Sequence, residues 1–273
     1  RHTRYIGDWS SDVCSSDLGG GPVSRHVLVT GAGTGIGEAI SRQLHGEGHR
    51  VTLLGRRSEP LEILSAALGD GSQTVTGDVT DRAGLVASFA SARERFGDIE
   101  ILVNSAGMAP TAPFSRLDFA DWQRTMDVNV NGVFHCTQIA LDSMLVANWG
   151  RIINIASVAS LRGFPYVSGY CASKHAVLGM TRALALELAT QGVTVNAICP
   201  GYVDTDFVRV AISEIVSKTG RTESEAMQHF IESNPQGRLV EASEVASAVS
   251  WLCSEGAASV TGQAIAIDGG GTA

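Results

Sequence analysis

From Arg25 onward, short apolar runs alternate with segments whose apolar residues return at helical spacing. RHVLVT, RVTLLG, QTVTGD, DIEILVNSAG, GRIINIAS, GVTVNAICPG and GQAIAIDGG are dominated by β-branched residues and bounded by Gly, Asn or Asp. That is the pattern of strands buried on both faces. Helix-length segments begin near Gly35, Ser58, Asp81, Asp118, Ser168 and Ser243. Strict alternation predicts parallel strands joined by right-handed crossovers, with helices on both faces of the sheet. The expected architecture is one α/β domain over residues 25–273, a doubly wound parallel sheet of about seven strands.

One segment breaks the rhythm. Residues 205–241 contain no strand and carry two weak amphipathic helical patterns. A long excursion after the C-terminal end of a strand reads as a helical substrate lid, because ligands sit at that edge of open α/β sheets. An oligomerisation or decorative insertion is the alternative.

The leader RHTRYIGDWSSDVCSSDL, residues 1–18, is polar, aperiodic and without the apolar centre of a signal peptide. It back-translates without mismatch into a string resembling an indexed sequencing adapter. It is read as a disordered assembly artefact, with residues 19–24 a flexible lead-in. The 273-residue length and 44% hydrophobic content suit a domain with a sizeable core. The chain lacks the run of about 18 apolar residues that a membrane span needs, so no membrane partner is expected. A net charge of −8 argues against nucleic acid as a partner. Five cysteines at irregular spacing, with no CxxC or HExxH, point to a reducing, cytoplasmic setting and no metal site.

Two stretches carry candidate chemistry. The first strand runs straight into TGAGTGIGEAI, where Gly31, Gly33, Gly35 and Gly37 open a helix. Glycines let the backbone turn sharply and approach a pyrophosphate, whose charge meets N–H groups at the helix N-terminus. In SGYCASKHA, Tyr170 and Lys174 stand four positions apart in a chain with two lysines. On a helix they share one face. From these residues alone, a lysine stem covering a ring and a working pair both stay open.

TGAGTGIG, NSAG at Asn104–Gly107, Asn129 in VNVNG, Ser157 in NIAS, YCASK and PGYVDT resemble the short-chain dehydrogenase/reductase superfamily, and the motifs run in that family's order. The resemblance implies a Rossmann-like fold and hydride transfer between a nicotinamide cofactor and a carbonyl or secondary alcohol. It implies that Tyr170 carries the proton, that Lys174 tunes the phenol and holds the nicotinamide ribose, and that Ser157 polarises the carbonyl. Asn129 becomes the fourth catalytic residue, steadying a helix and a water chain, whereas Asn131 points to another helical face. A phenol titrates near 10, and the ammonium together with an oxidised nicotinamide is expected to lower it by ~2–3 units. Cofactor contacts are implied for Gly31, Thr34, Gly35, Ile36 and Gly37 at the turn, and for Asp78 and Val79 at the adenine. Asn104, Ala106 and Gly107 are expected along the ribose and nicotinamide path, and Pro200, Gly201, Val203 and Thr205 beside the nicotinamide amide. NSAG departs from the family's usual NNAG at a position not expected to touch the cofactor. Cys136, Cys171, Cys199 and Cys253 read as packing residues, and His175 as facing a neighbouring helix.

After the second strand the chain reads LLGRRSEP. NAD-preferring relatives usually place Asp where Gly55 stands, and Arg56 suits a 2′-phosphate, so NADP(H) is favoured over NAD(H). KTGRTESEA and NPQGRLVEASEVA resemble 3-oxoacyl reductases, polyketide ketoreductases and 3-hydroxyacyl-CoA dehydrogenases, which implies a small-molecule substrate carried as a CoA or carrier-protein thioester. A dehydrogenase of another alcohol or sugar is the alternative. A non-catalytic redox sensor is disfavoured, because Asn129, Ser157, Tyr170 and Lys174 are all present. By analogy a homotetramer is expected, built on the helices after Asp118 and Ser168 and on the last strand.

Overall fold

Seven strands form where the buried apolar runs stand. The computed structural model describes residues 23–273, so the leader of residues 1–18 and most of the lead-in lie outside the described residues. The first half runs β1 (His26–Thr30), α1 (Gly35–Gly46), β2 (Arg50–Gly55), α2 (Ser58–Leu68), β3 (Ser72–Thr76), α3 (Arg82–Phe96) and β4 (Ile101–Asn104). The second half begins with α4 (Phe119–Met126), α5 (Gly132–Ala147), β5 (Gly150–Ile155), α6 (Ser168–Glu187) and β6 (Val193–Pro200). It ends with α7 (Asp206–Thr219), α8 (Glu223–Glu232), α9 (Ala242–Cys253) and β7 (Ala264–Ile267).

All strands pair in parallel, in the order β3-β2-β1-β4-β5-β6-β7. The strand order reverses between β1 and β4, which opens a crevice at the C-terminal edge of the sheet. Side chains alternate across each strand. Val27 and Val29 therefore pack with Ile40, Leu61 and Val245 of α1, α2 and α9, while Leu28 packs with Phe89 and Cys136 of α3 and α5. Helix starts follow their caps: the Asp81 and Asp118 carboxylates accept from the N–H groups of Gly84 and Ala120, each at 3.1 Å.

The structure departs from the sequence pattern in one place. The long helix expected after Asp118 is split by a π-helical turn, Asp127–Asn131, between α4 and α5. Such turns widen the helix by one residue and recur at functional sites. The 205–241 segment forms α7 and α8, whose Val208, Ile212, Ala226 and Phe230 make an apolar cluster of their own. A bridge between Val203 and Val240 closes the base of this excursion. Among the described residues no helix is long and apolar enough to cross a membrane, and no group of three or more His, Cys, Asp or Glu could hold a metal.

Candidate active site

Six strand ends surround a cleft of about 440 Å³. Its floor is built at the end of β1, where the Thr30 hydroxyl oxygen accepts from the N–H groups of Ser105 and Ala106 at 3.0 and 3.1 Å. This draws the β4 loop onto the glycine turn. Gly31 adopts φ +65°, and a Cβ there would lie 2.9 Å from the Ala106 Cα. A Cβ on Gly37 would run into the Gly31 carbonyl. The floor is therefore bare backbone at the positive end of α1, whose N-cap is Thr34. Thr34, Gly35 and Ile36 line the cleft, with Asp78 and Val79 toward β3 and Ala106 and Gly107 after β4. Pro200, Gly201, Val203 and Thr205 line it beyond β6.

The polar groups at the other end come from β5 and α6. Ser157 follows β5, and Tyr170 and Lys174 lie one turn apart on α6; all three line the cleft. The Lys174 ammonium donates to the Ile155 carbonyl at 2.7 Å and stands 5.6 Å from the centre of the Tyr170 ring. Burial pushes the Tyr170 phenol up to about 12, and the Ser157 hydroxyl opposes that rise. Burial also pulls Lys174 down to about 8. The lowering expected from the sequence belongs to the complex with an oxidised nicotinamide, whereas this rise is that of the protein alone. Withdrawal from water is the largest cause of the rise.

Asn129 sits in the π-helical turn, fully buried. Its Oδ1 accepts from the Met108 N–H at 2.9 Å, while its amide donates to the Met108 carbonyl at 2.8 Å and to the Ser173 hydroxyl at 3.0 Å. It therefore clamps the loop after β4 to α6. Asn131 is exposed and donates to Asp127 at 2.8 Å, outside this arrangement. Asn104 does not face the cleft through its side chain. Its amide donates to Asn154 at 2.9 Å and to Thr137 at 3.2 Å inside the core, tying β4 to β5 and α5.

Residues 25–215 match the family described as short chain dehydrogenase. The chain is 40% identical to nodulation protein G of a Rhizobium species over 90% of this chain and 96% of that protein. It is 36% identical to the 3-oxoacyl-(acyl-carrier-protein) reductase of Haemophilus influenzae, over 89% and 96%. The chain belongs to the short-chain dehydrogenase family. A crystal structure of an actinorhodin polyketide ketoreductase variant with NADPH superposes with a TM-score of 0.87 at 38% identity, covering 92% of this chain and 98% of that one. The protein is accordingly a short-chain dehydrogenase/reductase enzyme, an NAD(P)-dependent oxidoreductase.

The residues present fit a dinucleotide of this family. The glycine floor admits a pyrophosphate, and Arg56 lines the β2 rim, exposed and without an ion pair or side-chain hydrogen bond among the described residues. Asp78 makes an Asx turn, with Oδ1 accepting from the Thr80 N–H and hydroxyl at 2.9 Å each. His175, expected against a neighbouring helix, is exposed and bonds back to the Cys171 carbonyl at 2.9 Å. Cys136, Cys171, Cys199 and Cys253 are buried free thiols.

Sequence reasoning missed other cleft residues, among them Arg57, Met108, Phe164, Tyr202 and Phe207. Met108 directly follows NSAG and Tyr202 stands inside PGYVDT, and that position at a strand end was the available signal. Phe164 lies in an irregular loop with no periodicity to mark it.

Proposed function

We propose that this enzyme is an NADPH-dependent reductase of 3-oxoacyl thioesters. The observation that carries the reading is the sharing of one cleft by the glycine turn, the free Arg56 and the Ser157–Tyr170–Lys174 group. Arg56 would take the 2′-phosphate and Lys174 the ribose hydroxyls. The nicotinamide, when bound, supplies the hydride. Ser157 donates a hydrogen bond to the carbonyl oxygen of the substrate and polarises it. Tyr170, which keeps its proton at neutral pH, donates that proton to the same oxygen as the carbon is reduced, leaving a secondary alcohol. Asn129 holds Met108 and Ser173 in place beside this group.

The likeness to 3-oxoacyl and polyketide reductases supports the thioester class. In this reading α7 and α8 cover the bound substrate as a lid. The test is NADPH consumption with a panel of 3-oxoacyl thioesters, sugars and simple ketones. Turnover at least about 10-fold more efficient with the thioesters supports the reading. Preference for a sugar or another ketone overturns the substrate class.

A further inference from the structure

Beyond Ser157 and Tyr170 the cleft is also lined by Met108, Val158, Phe164, Tyr202 and Phe207, with Asp206, next to Phe207, paired to Arg209 at 3.9 Å. Apart from backbone, the polar group among these five is the Tyr202 hydroxyl, which has no hydrogen-bond partner among the described residues. The Tyr202 ring is fixed. Phe230 of α8 meets it edge-on at 4.7 Å between centroids, and the Tyr202 carbonyl accepts from the Val240 N–H at 2.9 Å.

A cation stands beside this wall. The Arg162 guanidinium lies 4.8 Å from the centre of the Phe164 ring and makes no ion pair or side-chain hydrogen bond among the described residues. Its loop is pinned at both ends. The Arg162 N–H donates to the Val158 carbonyl at 3.1 Å, and the Tyr166 carbonyl accepts from the Ala112 N–H at 2.9 Å. Tyr166 adopts φ +65°, a conformation that a bulky side chain takes only where its surroundings impose it.

We propose that Tyr202, with the Arg162 cation held on the Phe164 ring of the same cleft, forms a second polar subsite that receives the C1 oxygen of a 3-oxoacyl substrate. The subsite rests on the reading of Ser157 and Tyr170 as the pole for the C3 oxygen. One hydroxyl in an apolar wall discriminates strongly, because a substrate without an acceptor leaves the donor unpaired. The shared chemistry is an acyl oxygen two carbons from the reacting carbonyl, carried by a thioester or by a free carboxylate.

The test compares 3-oxobutanoyl-coenzyme A, 3-oxobutanoate and 2-pentanone as substrates with NADPH. Tyr202→Phe keeps the ring against Phe230, and it should lower the kcat/KM ratio of each 3-oxoacyl compound to 2-pentanone by about 5- to 10-fold, the effect of one hydrogen bond. Arg162→Gln should reduce activity with 3-oxobutanoate more than with the thioester, because the carboxylate carries the charge. Equal loss on all three substrates, or unchanged ratios, overturns the subsite. Failure of the substrate reading looks different: the wild-type enzyme then leaves both 3-oxoacyl compounds untouched while reducing other ketones, and the subsite falls with it.

Discussion

The Lys174 ammonium donates to the Ile155 carbonyl at 2.7 Å and stands 5.6 Å from the centre of the Tyr170 ring, so the last residue of β5 anchors the cation beside the residue one helical turn away. Burial governs both groups. It leaves the phenol protonated at neutral pH and the ammonium easier to deprotonate than in water.

Removing either group separates their roles. Tyr170→Phe should keep dinucleotide affinity and abolish turnover, because the ring still fills its place and the transferable proton is gone. Lys174→Met should damage both, since it also removes the proposed ribose contact. Fluorescence titration with NADPH and steady-state rates measure the two effects. A Tyr170→Phe enzyme retaining more than about 5% of the rate would defeat the proton-carrier role.

The same burial predicts how stability moves with pH. Lys174 falls from 10.5 to about 8 on folding, so between those values the unfolded chain binds the extra proton. Its contribution to stability is present above 10.5 and is lost as pH falls toward 8. Tyr170 rises from 10.0 to about 12, so its contribution is present below 10 and is lost as pH climbs to 12. Urea unfolding of wild type and Lys174→Met at pH 8 and pH 10 isolates the first effect. The wild type should gain relative to the variant at the higher pH, and a gap that moves the other way contradicts the assignment.

Asn129 is a positioning residue whose loss should be felt in stability as well as rate. Asn129→Leu deletes two hydrogen bonds to the Met108 backbone and one to Ser173, leaving partly buried main-chain groups unpaired. At about 1 kcal/mol for each bond, a loss of ~2–4 kcal/mol is expected in urea unfolding. Asn129→Asp retains the acceptor for the Met108 N–H but sets a second carboxylate oxygen against the Met108 carbonyl in a buried place, so it too should lose stability. Equal stability of all three proteins would show that the clamp does not hold the loop.

The strands were legible because a parallel sheet buried on both faces needs continuous β-branched runs, as in RIINI and VTVNAI. The glycine turn and the Tyr170–Lys174 pair were legible because their chemistry depends on local spacing. The π-helical turn was not. DVNVN holds only weak helix formers and nothing that marks an extra residue in the turn, and the widening at Asn129 goes with a clamp on Met108, 21 residues earlier. The anchor of the Lys174 ammonium was hidden for the same reason: the Ile155 carbonyl that takes it is 19 residues away in sequence. Asn104 was placed by its motif beside the cofactor, yet its side chain bonds Asn154 across the β4–β5 pair, a contact set by strand register.

Cofactor choice gives the sharpest test of the β2 rim. Arg56 is exposed there without a partner among the described residues, so its guanidinium is free to fork onto a 2′-phosphate. A charge-assisted contact of this kind is worth ~1.5–3 kcal/mol, or roughly 10- to 150-fold in affinity. Gly55 precedes it, and a Cβ there would meet the Leu61 Cδ2 at 3.4 Å, an ordinary van der Waals contact. An aspartate therefore fits at that position without displacing the core. Its carboxylate would accept from the free ribose hydroxyls of NAD and repel a phosphate in the same place. The double change Gly55→Asp with Arg56→Ile should move the ratio of kcat/KM values toward NADH by at least about 100-fold, through lost attraction and added repulsion together. If the unmodified enzyme already prefers NADH in a direct comparison, Arg56 is a solvated surface arginine, and oxidation of a 3-hydroxyacyl thioester becomes the better-supported direction.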